Sequence, residues 1–143
     1  MITYREMNSF DIPVLVGMEK AIYPESPWSA AQFREELAGA PRTRKYIIAV
    51  DGSQIVGYAG IALAGDVADI HTLTVVPEYR RQGIASAMLR ELESWAHKKG
   101  VSALMLEMRE GNAEAQPLYE KYGYSIISRR DNYYAPKIHA LIM

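Results

Sequence analysis

The chain has 143 residues, 49% of them hydrophobic, which is enough to bury the core of a single domain over residues 1–143. It contains no cysteine, and this excludes disulfides, thiolate metal sites and a cysteine nucleophile. Its 16 Lys and Arg nearly balance 17 Asp and Glu, so the net charge of -1 provides no global field to attract nucleic acid.

The start of the chain has no apolar signal core, and its uncharged stretches are far shorter than the roughly 20 residues needed to span a bilayer. We therefore expect a cytoplasmic protein without a membrane role, present as a monomer or weak homodimer.

The first half of the chain predicts a strand, two helices and three further strands. A strand over 2–7 precedes a helix from Ser9, and Ser29 with Gln32 forms a capping box for the second helix. Three strand-like runs, over 46–50, 55–63 and 67–76, are joined by short turns. Turns of that length predict an antiparallel meander.

The second half predicts an amphipathic helix that ends near Gly100, a buried strand over 103–108, a helix from Asn112 to Tyr122, and final strands over 124–129 and 138–143. The long helix carries one apolar stripe, formed by Ile84, Met88, Leu92, Trp95 and Ala96. The order β-α-α-β-β-β-α-β-α-β-β predicts an α/β (α+β) fold, with a mixed, mostly antiparallel sheet of about seven strands flanked by about four helices.

The segment over 75–85 has the pattern of an anion-binding loop, because a strand stops at Pro77 and a helix begins on a small-residue turn. Amides at a helix start point outward with the positive end of the helix dipole, and Gly83 and Ala85 leave room for a phosphate. Arg80 and Arg81 add positive charge. The alternative is that Gly83 only makes the turn and both arginines are solvated. No Walker motif follows, and the dinucleotide fingerprint is absent.

The run Arg80-Arg81-Gln82-Gly83-Ile84-Ala85 resembles the pyrophosphate loop of the GCN5-related N-acetyltransferases, the GNAT family, and the order of elements fits that family over essentially the whole chain. The resemblance implies the GNAT fold and direct acetyl transfer from acetyl-CoA, as cosubstrate, to an amine. It also implies a set of cosubstrate-binding residues in the strand, loop and helix start: Leu73, Thr74, Val75, Arg80, Arg81, Gln82, Gly83, Ile84, Ala85 and Ser86.

Two residues downstream are the catalytic candidates. Glu107 is the one carboxylate in an apolar strand, which is costly unless it reaches water, a substrate or a partner such as Arg109. The segment over 112–124 resembles the family's Asn, helix, Leu-Tyr, Gly-Phe/Tyr stretch. By that resemblance Glu107 takes the proton of the amine, Tyr119 contacts acetyl-CoA and protonates the departing thiolate, and Asn112 contacts the pantetheine. Without it, Tyr119 is an ordinary core aromatic.

Pro117 departs from the family's usual helix and removes one amide donor. It can therefore change the local path of the helix and with it the position of Tyr119. His71 is a competing base, because it lies two residues before the cosubstrate strand and histidine is a common general base in enzymes. His97 is expected to face solvent. No spacing of histidines and carboxylates predicts a metal site.

Four segments, among them 26–29 and 129–134, resemble one branch of the family, the ribosomal-protein-alanine N-acetyltransferases. That resemblance implies a protein N-terminus as acceptor, with Trp28, Tyr133 and Tyr134 as aromatic walls around an extended peptide. The alternative roles are a loop anchor for Trp28 and a hydrophobic hairpin for the tyrosines. His139 stands where an Asp is common in the branch, and only residues 135–138 join Tyr134 to the closing segment 139–143. These departures from the branch concern the choice of acceptor. Other acceptors, a small-molecule amine or a lysine side chain, and a non-catalytic CoA-binding module are the alternative functions.

Overall fold

The structure of the protein is a computed structural model that describes residues 1–40, 42–109, 115–135 and 138–142. Two compact units divide the chain, Met1–Leu104 and Met105–Met143. Within the described ranges there are seven strands and four α-helices in the predicted order. No helix in these ranges is long and apolar enough to cross a membrane.

The first unit contains the predicted antiparallel meander. Its turns at Gly52 and Gly65 use positive φ angles of 64° and 68°, which glycine adopts without steric cost. Each strand pairs antiparallel with the next along the chain. The observed strands match or extend the predicted runs by up to two residues at each end, except at Met7 and Val76, which were predicted as strand ends and lie just outside the strands. They are β1 (Ile2–Glu6), β2 (Arg44–Asp51), β3 (Gln54–Ala64) and β4 (Val67–Val75).

Three α-helices belong to this unit: α1 (Ile12–Ile22), α2 (Ala30–Ala38) and α3 (Ile84–Lys98). The capping box of α2 is confirmed, since Gln32 N–H donates to Ser29 Oγ at 3.2 Å and Ser29 N–H donates to Gln32 Oε1 at 2.8 Å. A short 3-10 turn over Ser9–Asp11, capped by Asn8, precedes α1. The predicted stripe of α3 is buried except for the half-buried Trp95, and Leu89 adds to it.

The start of α1 is held to β1 by an ion pair. Arg5 donates two hydrogen bonds to the carboxylate of Asp11, at 2.8 and 2.7 Å. The hydrogen bond from Arg5 keeps the pKa of Asp11 below its ordinary value, so the carboxylate is ionised over the physiological pH range.

A core cluster beneath α1 and α2 includes Leu15, Phe33, Tyr46 and Tyr58. Gly60 of β3 lies opposite Tyr46 of β2, and a Cβ atom at Gly60 would overlap the Tyr46 ring. The missing side chain therefore leaves room for the Tyr46 ring beside Gly60, and the centroid of that ring lies 6.4 Å from the Trp28 ring.

The second unit contains most of β5 (Ala103–Arg109), with α4 (Ala115–Lys121), β6 (Ser128–Ala135) and β7 (Ile138–Ile142). Strand β7 pairs antiparallel with both β5 and β6. Gly123 follows α4 with a φ of 92°, in agreement with the predicted helix stop.

Two predictions for this region were wrong in detail. The strand predicted over 124–129 begins only at Ser128, because Tyr124 N–H donates to the Tyr119 carbonyl at 3.1 Å and so closes the end of α4. The strand over 103–108 was predicted to be buried, yet Ala103 is exposed and only Leu106 among residues 103–106 is fully buried. Residues 110–114, where a helix start at Asn112 was predicted, lie outside the described part of the chain.

Candidate active site

The predicted anion loop leaves β4 and enters α3 through a short 3-10 turn over Pro77–Tyr79. Val76 N–H donates to the Val56 carbonyl at 2.9 Å, so the sheet supports the chain up to the turn. Tyr79 donates its hydroxyl hydrogen to Asp51 at 2.7 Å, and Asp51 is the last residue of β2. These two bonds fix the path by which the loop reaches the helix.

The loop backbone adopts left-handed conformations at Arg81, with a φ of 64°, and at Gly83, with a φ of 82°. A left-handed φ is uncommon for a residue with a side chain, and such outliers concentrate at functional sites. Left-handed residues also turn backbone N–H groups into concavities that bind anions. Apart from Gly83 and its two chain neighbours, no described atom lies within 4 Å of the space that a Cβ at Gly83 would fill, so a ligand can approach the backbone there.

Three amides at the start of α3 have no acceptor among the described residues. The first hydrogen bond of the helix runs from Ala87 N–H to the Gly83 carbonyl, at 3.0 Å, and no side chain caps the helix start. The N–H groups of Ile84, Ala85 and Ser86 therefore point outward at the positive end of a 15-residue helix. This donor set fits a diphosphate, and it is the geometry predicted for acetyl-CoA binding.

The two arginines of the loop differ in their contacts. Arg80 donates from Nε to the Val75 carbonyl at 3.1 Å, so this side chain also holds the last residue of β4. The side chains of Arg81 and Gln82 are exposed. Both predicted arginines therefore lie in the loop before the helix start, and Arg80 also holds the end of β4.

Strand β4 carries a β-bulge that was missing from the sequence prediction. Gly60 pairs with Thr72 while its neighbour Ile61 pairs with Ile70, so His71 is the extra residue. Bulges redirect side chains and are common beside active sites. Beyond the bulge, Thr74 is buried and Leu73 is half-buried within the strand predicted to contact the cosubstrate.

Hydroxyl and carboxylate groups form hydrogen bonds near the C-terminal end of β4. Tyr23, just after α1, has its hydroxyl 2.9 Å from Thr74 Oγ1. Tyr58 of β3 donates to Glu19 Oε2 at 2.5 Å. Burial, followed by the charge of Glu19, raises the pKa of the Tyr58 hydroxyl, so Tyr58 remains a protonated donor. Sequence patterns contain no signal for this network.

His71, the competing base, has a carboxylate partner. Its Nδ1 lies 2.9 Å from Glu36 Oε1, which also accepts hydrogen bonds from Arg44 Nε and the Tyr46 hydroxyl, both at 2.9 Å. The Trp28 ring is tilted against His71 with 6.4 Å between the ring centroids. The structure thus brings the histidine and the predicted acceptor wall together. His97, as predicted, is exposed.

Trp28 is half-buried at the end of the loop between α1 and α2. Its ring packs on Phe33 at 5.1 Å and near Tyr46 at 6.4 Å, measured between ring centroids. These are the contacts of a loop anchor. A second role for the ring, as a wall for the acceptor peptide, stays a prediction.

The catalytic candidates belong to the second unit. The backbone of Glu107 lies in β5, paired with Ile142 of β7, and its side chain lies outside the described part of the structure. Tyr119 is 6% exposed in α4, and its ring centroid lies 6.0 Å from that of Tyr124. The roles given to both residues stay predictions.

The side chains of the three remaining predicted site residues lie outside the described part of the structure. Tyr133 and Tyr134 lie in β6 with side chains outside the described part, and Asn112 lies wholly outside it. Over the ranges described, no group of three or more His, Cys, Asp or Glu side chains is placed to hold a metal ion.

Comparison with known proteins gives matches over most of the chain. The family model described as "Acetyltransferase (GNAT) family" matches residues 14–124. The [ribosomal protein bS18]-alanine N-acetyltransferase of Escherichia coli K12 is 31% identical over 134 residues, covering 94% of this chain and 88% of that protein. The N-alpha-acetyltransferase RimI of Mycobacterium tuberculosis is 38% identical over 114 residues, covering 77% of this chain and 69% of that protein.

Solved structures agree with these matches. The crystal structure of the ribosomal-protein-S18-alanine N-acetyltransferase from Escherichia coli superposes with a TM-score of 0.84 at 29% identity, over 100% of this chain and 92% of that one. Ard1 from Thermoplasma volcanium shares the fold, with a TM-score of 0.88 at 24% identity over 99% of this chain and 95% of that one. The chain therefore belongs to the GNAT family of acetyltransferases, as an N-acetyltransferase that uses acetyl-CoA as its cosubstrate.

Proposed function

We propose that the protein acetylates the N-terminal α-amine of another protein, and that its acceptor is a small-subunit ribosomal protein with an N-terminal alanine. The name of the Escherichia coli relative, which gives alanine of ribosomal protein bS18 as its acceptor, supports this choice, and the name of the Mycobacterium tuberculosis relative supports an α-amine. The observation that carries the transfer reaction is the helix start of α3, where three outward amides follow the loop that leaves β4, the strand that would align the acetyl group.

The proposed chemistry is direct transfer in a ternary complex. The amides of residues 81–86 bind the diphosphate, and a backbone amide near Val75 polarises the thioester carbonyl. The α-ammonium of the acceptor, with a pKa of about 7.7–8.0, must lose a proton before its nitrogen attacks. Glu107 takes that proton, directly or through water, and Tyr119 donates a proton to the leaving sulfur.

Mass spectrometry of acetylated products tests the acceptor. After incubation with acetyl-CoA and ribosomal protein extract, we expect new acetyl groups on the α-amine of one small-subunit protein that begins with alanine. Polyamines, amino sugars and lysine-containing peptides serve as competing acceptors in the same assay. Acetylation confined to these competitors would replace the proposal with a small-amine or lysine acetyltransferase. Thermal stabilisation by CoA without any transfer would indicate a binding module.

The α3 helix start is tested by Ala85→Pro, which removes one of the three outward amides. Proline is tolerated in the first turn of a helix, so the fold is expected to survive. A hydrogen bond to a charged group contributes about 1.5–3 kcal/mol, and we therefore expect the Kd for CoA to rise by about 10- to 100-fold. Isothermal titration calorimetry with CoA measures this change.

Ala31→Pro is the matched control, because Ala31 is the second residue of α2 just as Ala85 is the second residue of α3. Both substitutions place proline at the same position of a helix, but only Ala85 lies in the anion loop. The control should bind CoA as the wild type does, with a similar change in Tm. An equal rise in the Kd for CoA in both variants would attribute the effect to proline in a helix start and would contradict diphosphate binding by these amides.

A further inference from the structure

Glu19 is a buried carboxylate that the proposed chemistry does not use. It lies in α1 and is only 3% exposed. Burying a charged group is costly unless hydrogen bonds satisfy it, so a glutamate at such a position needs specific partners. The structure provides two of them, one for each carboxylate oxygen.

The two partners come from distant parts of the first unit. Glu19 Oε2 accepts from the Tyr58 hydroxyl at 2.5 Å, and Glu19 Oε1 accepts from the Trp28 backbone N–H at 2.8 Å. Tyr58 is fully buried in β3, next to the strand predicted to contact acetyl-CoA. Glu19 therefore connects the sheet to the end of the loop between α1 and α2.

The other end of that loop is attached to β4. The Tyr23 hydroxyl lies 2.9 Å from Thr74 Oγ1, and Tyr23 N–H donates to the Glu19 carbonyl at 2.7 Å. We call residues 23–28 the acceptor loop. One end of the acceptor loop is thus bonded to Thr74 of β4 through Tyr23. The other end is bonded through Glu19 to Tyr58 of β3.

We propose that Glu19 is a positioning residue for the acceptor: through the Trp28 N–H it holds the acceptor loop in the conformation that receives the peptide. This inference rests on the proposed function for the nature of the acceptor. A loop that is ordered before binding lowers the entropic cost of binding. Glu19 therefore affects acceptor affinity and leaves acetyl-CoA binding at the α3 helix start unchanged.

Glu19→Ala and Glu19→Gln are the informative pair of variants. Alanine removes both acceptor oxygens. Glutamine keeps one oxygen for the Trp28 N–H, and its amide can donate to the Tyr58 oxygen. We expect Glu19→Ala to raise the KM for an N-terminal peptide about tenfold while the KM for acetyl-CoA stays within about twofold. Glu19→Gln should restore the peptide KM to near the wild-type value.

A fluorescence measurement reads the acceptor loop without any acceptor. Trp28 and Trp95 are the two tryptophans, so a Trp95→Phe background leaves Trp28 as the single reporter. In this background Glu19→Ala should shift the Trp28 emission to the red and increase its quenching by acrylamide, and Glu19→Gln should do neither. This result stands even if no α-amine is acetylated, so failure of the proposed function and failure of this inference are distinguishable.

Tyr58→Phe and Tyr46→Phe form a second pair in case Glu19→Ala does not fold. Each removes one buried hydroxyl that donates to a glutamate, but only Tyr58 is bonded to Glu19. We expect Tyr58→Phe to raise the peptide KM and Trp28 quenching, and Tyr46→Phe to change neither. Equal changes in the peptide and acetyl-CoA KM values, or unchanged Trp28 quenching in Glu19→Ala and Tyr58→Phe, would overturn the inference.

Discussion

Glu107→Gln is expected to lower kcat/KM for an N-terminal peptide by roughly 10²–10⁴-fold, the range typical of a lost general base. Glutamine preserves the size of the side chain and removes its ability to accept a proton. The loss should be greatest at pH values below the amine pKa of about 7.7–8.0, and it should shrink at higher pH because the amine then arrives unprotonated. Steady-state kinetics from pH 6 to 10, run as a series, measure this dependence.

His71→Gln decides between the two candidate bases. His71 has a carboxylate partner in Glu36, at 2.9 Å, and this arrangement is compatible with proton transfer at the other ring nitrogen. If Glu107 is the base, His71→Gln retains most of kcat and keeps the wild-type pH dependence. A large, pH-dependent loss in His71→Gln, together with wild-type rates in Glu107→Gln, would transfer the role to the histidine.

Tyr119→Phe is expected to reduce kcat by about 10²-fold while acetyl-CoA still binds, because only the proton donor for the leaving sulfur is removed. The phenylalanine ring retains the packing of the buried tyrosine. Pre-steady-state measurement of acetyl transfer separates the chemical step from product release, and calorimetry with CoA tests binding.

Tyr124→Phe is the matched control for Tyr119→Phe. Tyr124 is also buried, and its ring is tilted at 69° against that of Tyr119. Removing its hydroxyl should leave kcat within about twofold of the wild type. Equal losses in both variants would indicate that Tyr119 stabilises the unit and donates no proton, which is the role of an ordinary core aromatic.

Local sequence signals predicted the elements around the candidate site well. Ser29 and Gln32 are three residues apart and predict the start of α2, because a capping box needs only adjacent backbone. Gly83 predicts the turn into α3 for a similar reason, since a left-handed φ depends on one residue. The strand predicted to begin at 124 was misplaced because Tyr124 bonds back to α4, a contact that strand propensity does not contain.

The contacts around β4 depend on residues far apart in the chain. Tyr58 and Glu19 are separated by 39 positions, and Tyr23 and Thr74 by 51. Neither pair follows from spacing, because hydrophobic periodicity places a residue on a face and does not select its partner on another element. The bulge at His71 was missed for the same reason, since it is a mismatch in register between two paired strands.

The sequence by itself determined the order of elements, the caps and turns, and the loop whose motif resembles the GNAT pyrophosphate loop, because these depend on residues adjacent in the chain. Only the tertiary structure decided that three amides of α3 remain without a described acceptor, that His71 meets Glu36, and that Glu19 connects Trp28 to Tyr58. Packing of helices on a sheet brings these side chains together, and the burial of Glu19 requires that its carboxylate be hydrogen-bonded.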